Sequence, residues 1–352
     1  MIKEATSLIE ELGEQKRKVD FNSYDFSVKE LVSMVAEGII DIAPEYQRQF
    51  RWEDERQSKL IESLLLGIPI PNIFMATNND GSWEVIDGVQ RLTTIIRFMD
   101  NQDAKNRTNV QDTLTLKSLE KLPSFNKQSF TKLPHKIKLD FMLRTLKVTT
   151  LTDKSDLDVR FDLFERLNTG GIKLTAQEIR SCVFRGNFNE FVKRMAQDKN
   201  FIKATQLKEQ RKKDGTAEEA VLRFFAFLHN YQNFKYNVTS FLNNYMAFAN
   251  KDFDYEQNEK LFKKTFKELS QLEFGISKGQ TTRRSGFKIN FYEGVAVGAA
   301  LALQQKEKLN LTNFYNWIND PTFIESTTGA TNRPKMVQHR IEFCKENFLS
   351  DV

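Results

Sequence analysis

WEVIDGVQRLTTIIRFM, Trp83 to Met99, is the stretch that decides the fold. Trp83 to Ile86 reads as a strand. Asp87-Gly88 breaks it. Leu92, Ile95, Ile96 and Met99 then fall on one face of a helix. The order is strand, tight glycine turn, helix. Such a junction leaves backbone N–H groups at the helix start, where the dipole is positive, and so offers an anion site. Arg91 adds a planar fork suited to phosphate. Asp87 can bind a metal ion or orient a water. Gln90 can hydrogen-bond a base, a ribose or an attacking water. The plain alternative is that Asp87 caps the helix and Arg91 is a solvated surface residue.

Upstream, Ile73 to Thr77 reads as a partner strand, joined through the turn Asn78-Asn-Asp-Gly81. Ile68-Pro-Ile-Pro71 forbids helix and reads as extended. Before it, Glu53, Asp54 and Glu55 open a helix with Leu60, Ile61, Leu64 and Leu65 on its apolar face, and Gly67 is a natural stop. Pro44-Glu-Tyr-Gln-Arg-Gln-Phe-Arg-Trp52 precedes that helix. Arg48 and Arg51, beside Tyr46 and Trp52, can hold phosphates and stack a base; alternatively, they form a salt-bridged surface with Trp52 stapling the next helix. Ser27 with Glu30 has capping-box spacing, and Gly38 ends that helix. Leu8 to Lys18 is a charged lead-in with the pattern of a frayed helix.

Downstream, Asn101 to Asn126 is polar and reads as loop-rich, and Ile137 to Leu151 alternates as a strand does. Asp158 to Leu167 reads as a helix ending in Asn168-Thr-Gly-Gly171. Asn168, Gly170 and Gly171 either let a backbone approach a ligand or simply cap that helix. Thr175-Ala-Gln-Glu178 is a second capping box. Glu165, Arg166 and Arg180 belong either to a site at this turn or to solvent. Beyond it long helical patterns dominate: 187–197, 217–231, 240–249, 256–272, 287–304 and 334–348. Thirty phenylalanines suit a helical core. The expected organisation is a lead-in over 1–20, an α+β domain over 21–174, and a helical domain over 175–352.

Composition narrows the chemistry. The 352 residues carry 52 Lys+Arg against 47 Asp+Glu, a net charge of +5. This permits a nucleic-acid partner without demanding one. Basic clusters at Lys208, Arg211, Lys212 and Lys213, at Arg283, Arg284 and Lys288, and at Arg333, Lys335 and Arg340 can contact a nucleic-acid backbone or be solvated faces. Cys182 and Cys344 stand alone, which excludes a disulfide framework or cysteine zinc site. His135, His229 and His339 are isolated, and neither a Walker-type loop nor a GxSxG elbow occurs. Chemistry, if any, rests on carboxylates, Arg, Asn and backbone amides. No signal-peptide h-region opens the chain, and the longest apolar run, Val295 to Leu303, is too short for a membrane span, so the cytoplasm is expected.

PEYQRQFRW, ESLLLGIPIPNIF, VIDGVQRLTTI and FERLNTGGIKLTAQEIR occur in that order. Together they resemble the domain of unknown function 262 family, the GmrS-like N-terminal part of GmrSD-type modified-DNA restriction enzymes. The resemblance covers roughly Phe21 to Phe184. It implies an α+β fold with a ParB/sulfiredoxin-like core ahead of the helical domain. It also implies a bacterial anti-phage restriction setting and a DGQQR-type motif associated with nucleotide binding and hydrolysis.

Carried over, the motif positions are Asp87, Gly88, Gln90 and Arg91. Asp87, Gln90 and Arg91 are the expected catalytic residues, and Asp87 the expected ligand of Mg²⁺. Arg48, Arg51, Gly88, Arg91, Thr93, Asn168, Gly170 and Gly171 are the expected nucleotide or phosphate contacts. Lys212, Lys213, Arg283, Arg284 and Arg333 are expected to meet nucleic acid. Val89 replaces the motif's middle Gln, and the HNH-type nuclease domain that often follows is not seen. The leading expectation is therefore an NTP-hydrolysing sensor or regulatory subunit, with DNA and a separate nuclease or defence-system subunit as partners. A metal-dependent nickase and a non-catalytic adaptor are the alternatives, and homo-oligomerisation is left open.

Overall fold

The structure is a computed structural model that describes residues 12–13, 20–42, 52–78, 80–152, 157–167, 174–207, 214–272, 288–329 and 331–350. It falls into two units, Met1–Lys173 and Leu174–Val352.

In the first unit, β1 (Phe21–Ser27) leads into α1 (Val28–Glu37). Ser27 Oγ accepts from Glu30 N at 3.2 Å, and Val28, Leu31, Val32 and Val35 form the buried stripe expected of an amphipathic helix. Then come β2 (Ile40–Asp41), α2 (Asp54–Leu66), β3 (Ile73–Thr77), β4 (Trp83–Asp87) and α3 (Val89–Met99). They are followed by α4 (Gln102–Thr108), α5 (His135–Met142), β5 (Thr145–Leu151) and α6 (Leu157–Leu167).

The five strands form one mixed sheet in the order β1-β5-β3-β4-β2. β3 lies parallel to β5 and antiparallel to β4. These central strands bury Ile73, Met75, Ala76, Val85 and Val148 completely. Tyr24 and Phe26 of β1 make ring contacts with Trp83 of β4, with centroids 5.3 and 5.8 Å apart, although two strands intervene. The sheet is therefore strongly curled. Because β3 and β4 are antiparallel, the start of β3 and the end of β4 share one sheet end, where Phe74 pairs with Asp87.

One expectation is completed and one is corrected. The loop-rich residues 101–126 also hold a short helix: Asn101 Oδ1 accepts from Ala104 N at 2.9 Å and opens α4. An N-cap Asn with no apolar run behind it gives little periodic signal. Residues 137–151 are not one strand: α5 occupies the first part, and only Thr145 onward is extended. The alternation of Ile137, Leu139 and Phe141 was not a burial pattern, for Leu139 is exposed and only Phe141 of that helix is buried.

The second unit is helical: α7 (Ala176–Val183), α8 (Asn187–Met195), α9 (Lys199–Thr205), α10 (Thr216–Asn230) and α11 (Val238–Ala249) lead to α12 (Tyr255–Leu269). α13 (Ile289–Leu303), α14 (Phe314–Trp317), α15 (Pro321–Thr327) and α16 (Pro334–Leu349) follow. The capping box at Thr175 is complete, with Thr175 N donating to Glu178 Oε2 at 2.7 Å and Glu178 N to Thr175 Oγ1 at 3.2 Å. Phenylalanines fill the core: Phe224, Phe262 and Phe266 lie within 4.5–5.6 Å of one another. At Gly298 a Cβ would come 2.6 Å from that of Cys344, which is why α13 packs so closely on α16.

Running through this core is a ladder of alternating charge. Arg180 meets Glu219 at 3.3 Å, Glu219 meets Arg223 at 2.8 Å, Arg223 meets Glu293 at 2.6 Å, and Arg340 closes the ladder on Glu293. Arg180 also donates to Asn243 Oδ1 at 2.9 Å, and Arg340 to Thr331 O at 2.7 Å. Arg180 is therefore not a solvated residue, and Arg340 is not a surface contact for nucleic acid. Both are fully buried. Burial alone would raise the Glu219 pKa, but Arg223 and Arg180 outweigh it and hold the carboxyl below its ordinary value.

Candidate functional site

β4 ends at Asp87 and α3 starts at Val89, so Gly88 makes the whole turn. Its φ is +106°, a left-handed value that an L-residue resists. A Cβ at this position would stand 3.1 Å from Ile73 Cγ1 and 3.4 Å from Arg91 Nη2. The glycine is needed twice over, for conformation and for clearance. Leu92 N makes the first intrahelical bond, to Gly88 O at 2.8 Å, so the amides before it point past the helix start. Gly88 supplies no side-chain cap.

Asp87 and Arg91 form a pair one helical turn apart, Nη2 to Oδ2 at 2.5 Å. The other arm of the guanidinium, Nη1, donates to Asn72 O at 3.0 Å and to Pro71 O. Arg91 is 8 % exposed, whereas the Asp87 side chain keeps 31 % of its surface in solvent. The arginine is thus not a solvated surface residue. It ties the motif to the loop before β3 and leaves Asp87 facing outward. Thr93 is buried on the covered side of α3.

Gln90 is half-buried, and its Oε1 accepts from Trp52 N at 3.3 Å. Gln57 Nε2 donates to Trp52 O at 2.6 Å. Both main-chain polar groups of Trp52 are therefore held from α2 and α3, and Arg56 stacks on its indole at 4.4 Å. This joins the end of the PEYQRQFRW stretch to the start of the motif helix.

A second arginine fixes the same junction. Arg97, buried on α3, donates to Gln57 Oε1 at 3.0 Å, to Asp54 Oδ1 at 2.5 Å and to Asp112 Oδ1 at 3.1 Å. The hydrogen bond from Arg97, with its charge and that of Lys117, holds the Asp54 carboxyl below its ordinary range despite partial burial. Glu62 Oε1 accepts from Lys121 N and Leu122 N at 2.9 Å and pins the following loop onto α2. None of Gln57, Arg97 and Asp112 was singled out from sequence. Asp54 and Gln57 share a helix face at i, i+3, but nothing marks their partner forty residues on.

Among the expected site residues, Asp87, Gly88, Gln90, Arg91 and Thr93 come together at one strand–helix turn. Arg333 is exposed at the start of α16, in the other unit. Arg48, Arg51, Asn168, Gly170, Gly171, Lys212, Lys213, Arg283 and Arg284 lie outside the described residues. Among those described, no three His, Cys, Asp or Glu side chains gather as a metal cage, and no helix is long and apolar enough to cross a membrane.

Residues 28–185 match the family model of the GmrSD restriction endonuclease N-terminal domain. The match takes in every motif that carried the resemblance, runs through the whole Asp87–Arg91 turn, and ends two residues beyond α7. It ties this stretch to proteins of restriction systems. No match was found among curated proteins or among solved structures.

Proposed function

We propose that the protein is a nucleotide-binding, NTP-hydrolysing component of a bacterial restriction or anti-phage defence system, acting as its sensor or regulator. The phosphates bind at the Gly88–Leu92 helix start. The observation that carries this reading is the bond from Trp52 N to Gln90 Oε1, which brings two motifs 38 residues apart to one dipole-positive helix end.

The proposed roles are these. First-turn amides of α3 hold phosphate oxygens. Gln90, at the same turn, orients the attacking water. Arg48 and Arg51, which enter Trp52 by chain connection, supply the clamping charge, and Asn168, Gly170 and Gly171 approach the nucleotide by backbone. Arg91 holds Asp87 and the Pro71–Asn72 strand entry in place, and its charge lies one turn from the phosphates.

Asp87 fits an Mg²⁺ bound chiefly by phosphate oxygens and water, since one carboxylate suffices for that ion and this carboxylate faces solvent. When bound, the ion would neutralise charge on the transferred phosphoryl group. Arg333, exposed on the helical unit, is the proposed contact to DNA or to a nuclease partner, together with Lys212, Lys213, Arg283 and Arg284.

The test is calorimetric titration of the four NTPs with Mg²⁺ into the wild type, Gln90→Ala and Asp87→Asn. Tight binding by the wild type and loss in both variants supports the site. Undiminished binding by both folded variants removes it.

A further inference from the structure

A cavity opens at the same sheet end, behind the loop that Arg91 braces. It encloses about 750 Å³ between the end of α2, the Gly67–Asn72 loop and the start of β5. That volume falls within the roughly 300–1,000 Å³ of small-molecule sites.

Three features describe what it would accept. Its flanks are apolar and bare: Ile68 is 43 % exposed and Leu143 68 % exposed, and both line the opening with Pro69 between. Large side chains left in water around a cavity mark a surface that a flat apolar group can cover. Its edges are polar, with Asn72, Asp140 and Arg144 offering both donors and acceptors. Its charges cancel, since Arg144 and Lys147 face Asp25 and Asp140, so a polyphosphate finds no excess positive charge there.

Arg144 adds an unmet demand. Its guanidinium lies over Gly67, where a Cβ would come 3.0 Å from Nη1, and its Nε is buried without a hydrogen-bond partner among the described residues. A buried donor without an acceptor is costly, and rotation of this side chain toward a ligand acceptor in the cavity it lines would relieve that cost. The walls are already set. Pro69 and Pro71 fix their backbone, and Arg91 holds the carbonyls of Pro71 and Asn72.

We infer that this cavity is a nucleobase pocket. A planar heteroaromatic ring inserts between Ile68–Pro69 and Leu143, and its donor and acceptor edges meet Asn72, Asp140 and Arg144. The ring belongs either to a free nucleoside or nucleotide or to an unpaired base of a nucleic acid. The inference does not rest on the phosphate site at Gly88–Leu92.

The test uses nucleosides, which carry no phosphate, so the failure of either site is seen separately. Adenosine, guanosine, cytidine and thymidine are titrated into the full chain and followed by saturation-transfer NMR. The pocket predicts millimolar-or-better binding of at least one of them. It predicts weakening of about tenfold in Leu143→Asp, whose exposed side chain makes unfolding an unsatisfactory explanation, and in Arg144→Gln. Displacement of the bound nucleoside by a single-stranded oligonucleotide of the same base supports the pocket and places the base on nucleic acid. Displacement only by the mononucleotide supports it and places the base on a free nucleotide. No binding by any nucleoside, or binding unchanged in both variants, overturns the inference.

Discussion

Replacing Gly88 by alanine separates the two reasons the turn needs glycine. The backbone there has φ +106°, and forcing an L-residue into left-handed space costs about 1–2 kcal/mol. The new Cβ also lies 3.1 Å from Ile73 Cγ1 and 3.2 Å from Ile73 Cγ2, in a fully buried setting where overpacking costs about 1–3 kcal/mol. The expected loss is about 2–5 kcal/mol, a large share of the stability of an ordinary domain. Urea unfolding followed by tryptophan fluorescence measures it. Trp52 and Trp83 lie in the sheet-bearing unit, so a Trp317→Phe background silences the helical one. Ile73→Val retains both offending γ carbons and should recover little. Ile73→Ala removes both and should recover the steric part, about 1–3 kcal/mol of coupling in a double-mutant cycle. A Gly88→Ala loss below about 0.5 kcal/mol, or no coupling to Ile73→Ala, would refute the geometry of the turn.

Arg91→Ala leaves two carbonyls and a carboxylate without their donor, so thermal unfolding should show a loss of about 2–4 kcal/mol, discounted for the solvent around Asp87. It is therefore a poor probe of turnover. Asp54 and Asp100 both have depressed pKa values, held down chiefly by hydrogen bonds from Arg97 and Lys105. Their contribution is complete above the unfolded carboxyl value of about 3.9 and is lost as pH falls through the lower folded values. Unfolding scans from pH 6 to pH 2 should show this acid limb, and Asp54→Asn should flatten it. In the helical unit, Glu293→Gln strips the shared partner from Arg223 and Arg340 and should cost about 3–5 kcal/mol by urea unfolding, whereas Glu293→Leu combined with Arg340→Met should cost less than Glu293→Gln alone.

Much of this was legible in the sequence, where the signal was local. Ser27 with Glu30, Gly67 and the Thr175–Glu178 box each announced a helix end through chemistry confined to a few residues. The strand, glycine and helix of Trp83 to Met99 were readable for the same reason. Failure came where a residue's fate depended on distant partners. Arg180 and Arg340 look like any surface arginine until Glu219 and Glu293, 39 and 47 residues away, bury them. Arg91 looked like an open fork, and only the folded loop before β3 shows its Nη1 engaged by carbonyls. The helix at His135–Met142 was misread because the exposed Leu139, falling between Ile137 and the buried Phe141, turns an i, i+4 pair into an apparent alternation.

The proposed reaction is hydrolysis of an NTP at the Gly88–Leu92 helix start. Phosphate release from each of the four NTPs with Mg²⁺, with and without DNA, tests it most directly when the wild type is compared with Gln90→Ala. Gln90 is only half-buried and its bond to Trp52 N is long, at 3.3 Å, so the variant should fold. The wild type should release phosphate in a DNA-modulated way, and Gln90→Ala should lose that release with its melting temperature nearly unchanged. Equal release by both proteins, or none from the wild type with any NTP, would contradict it.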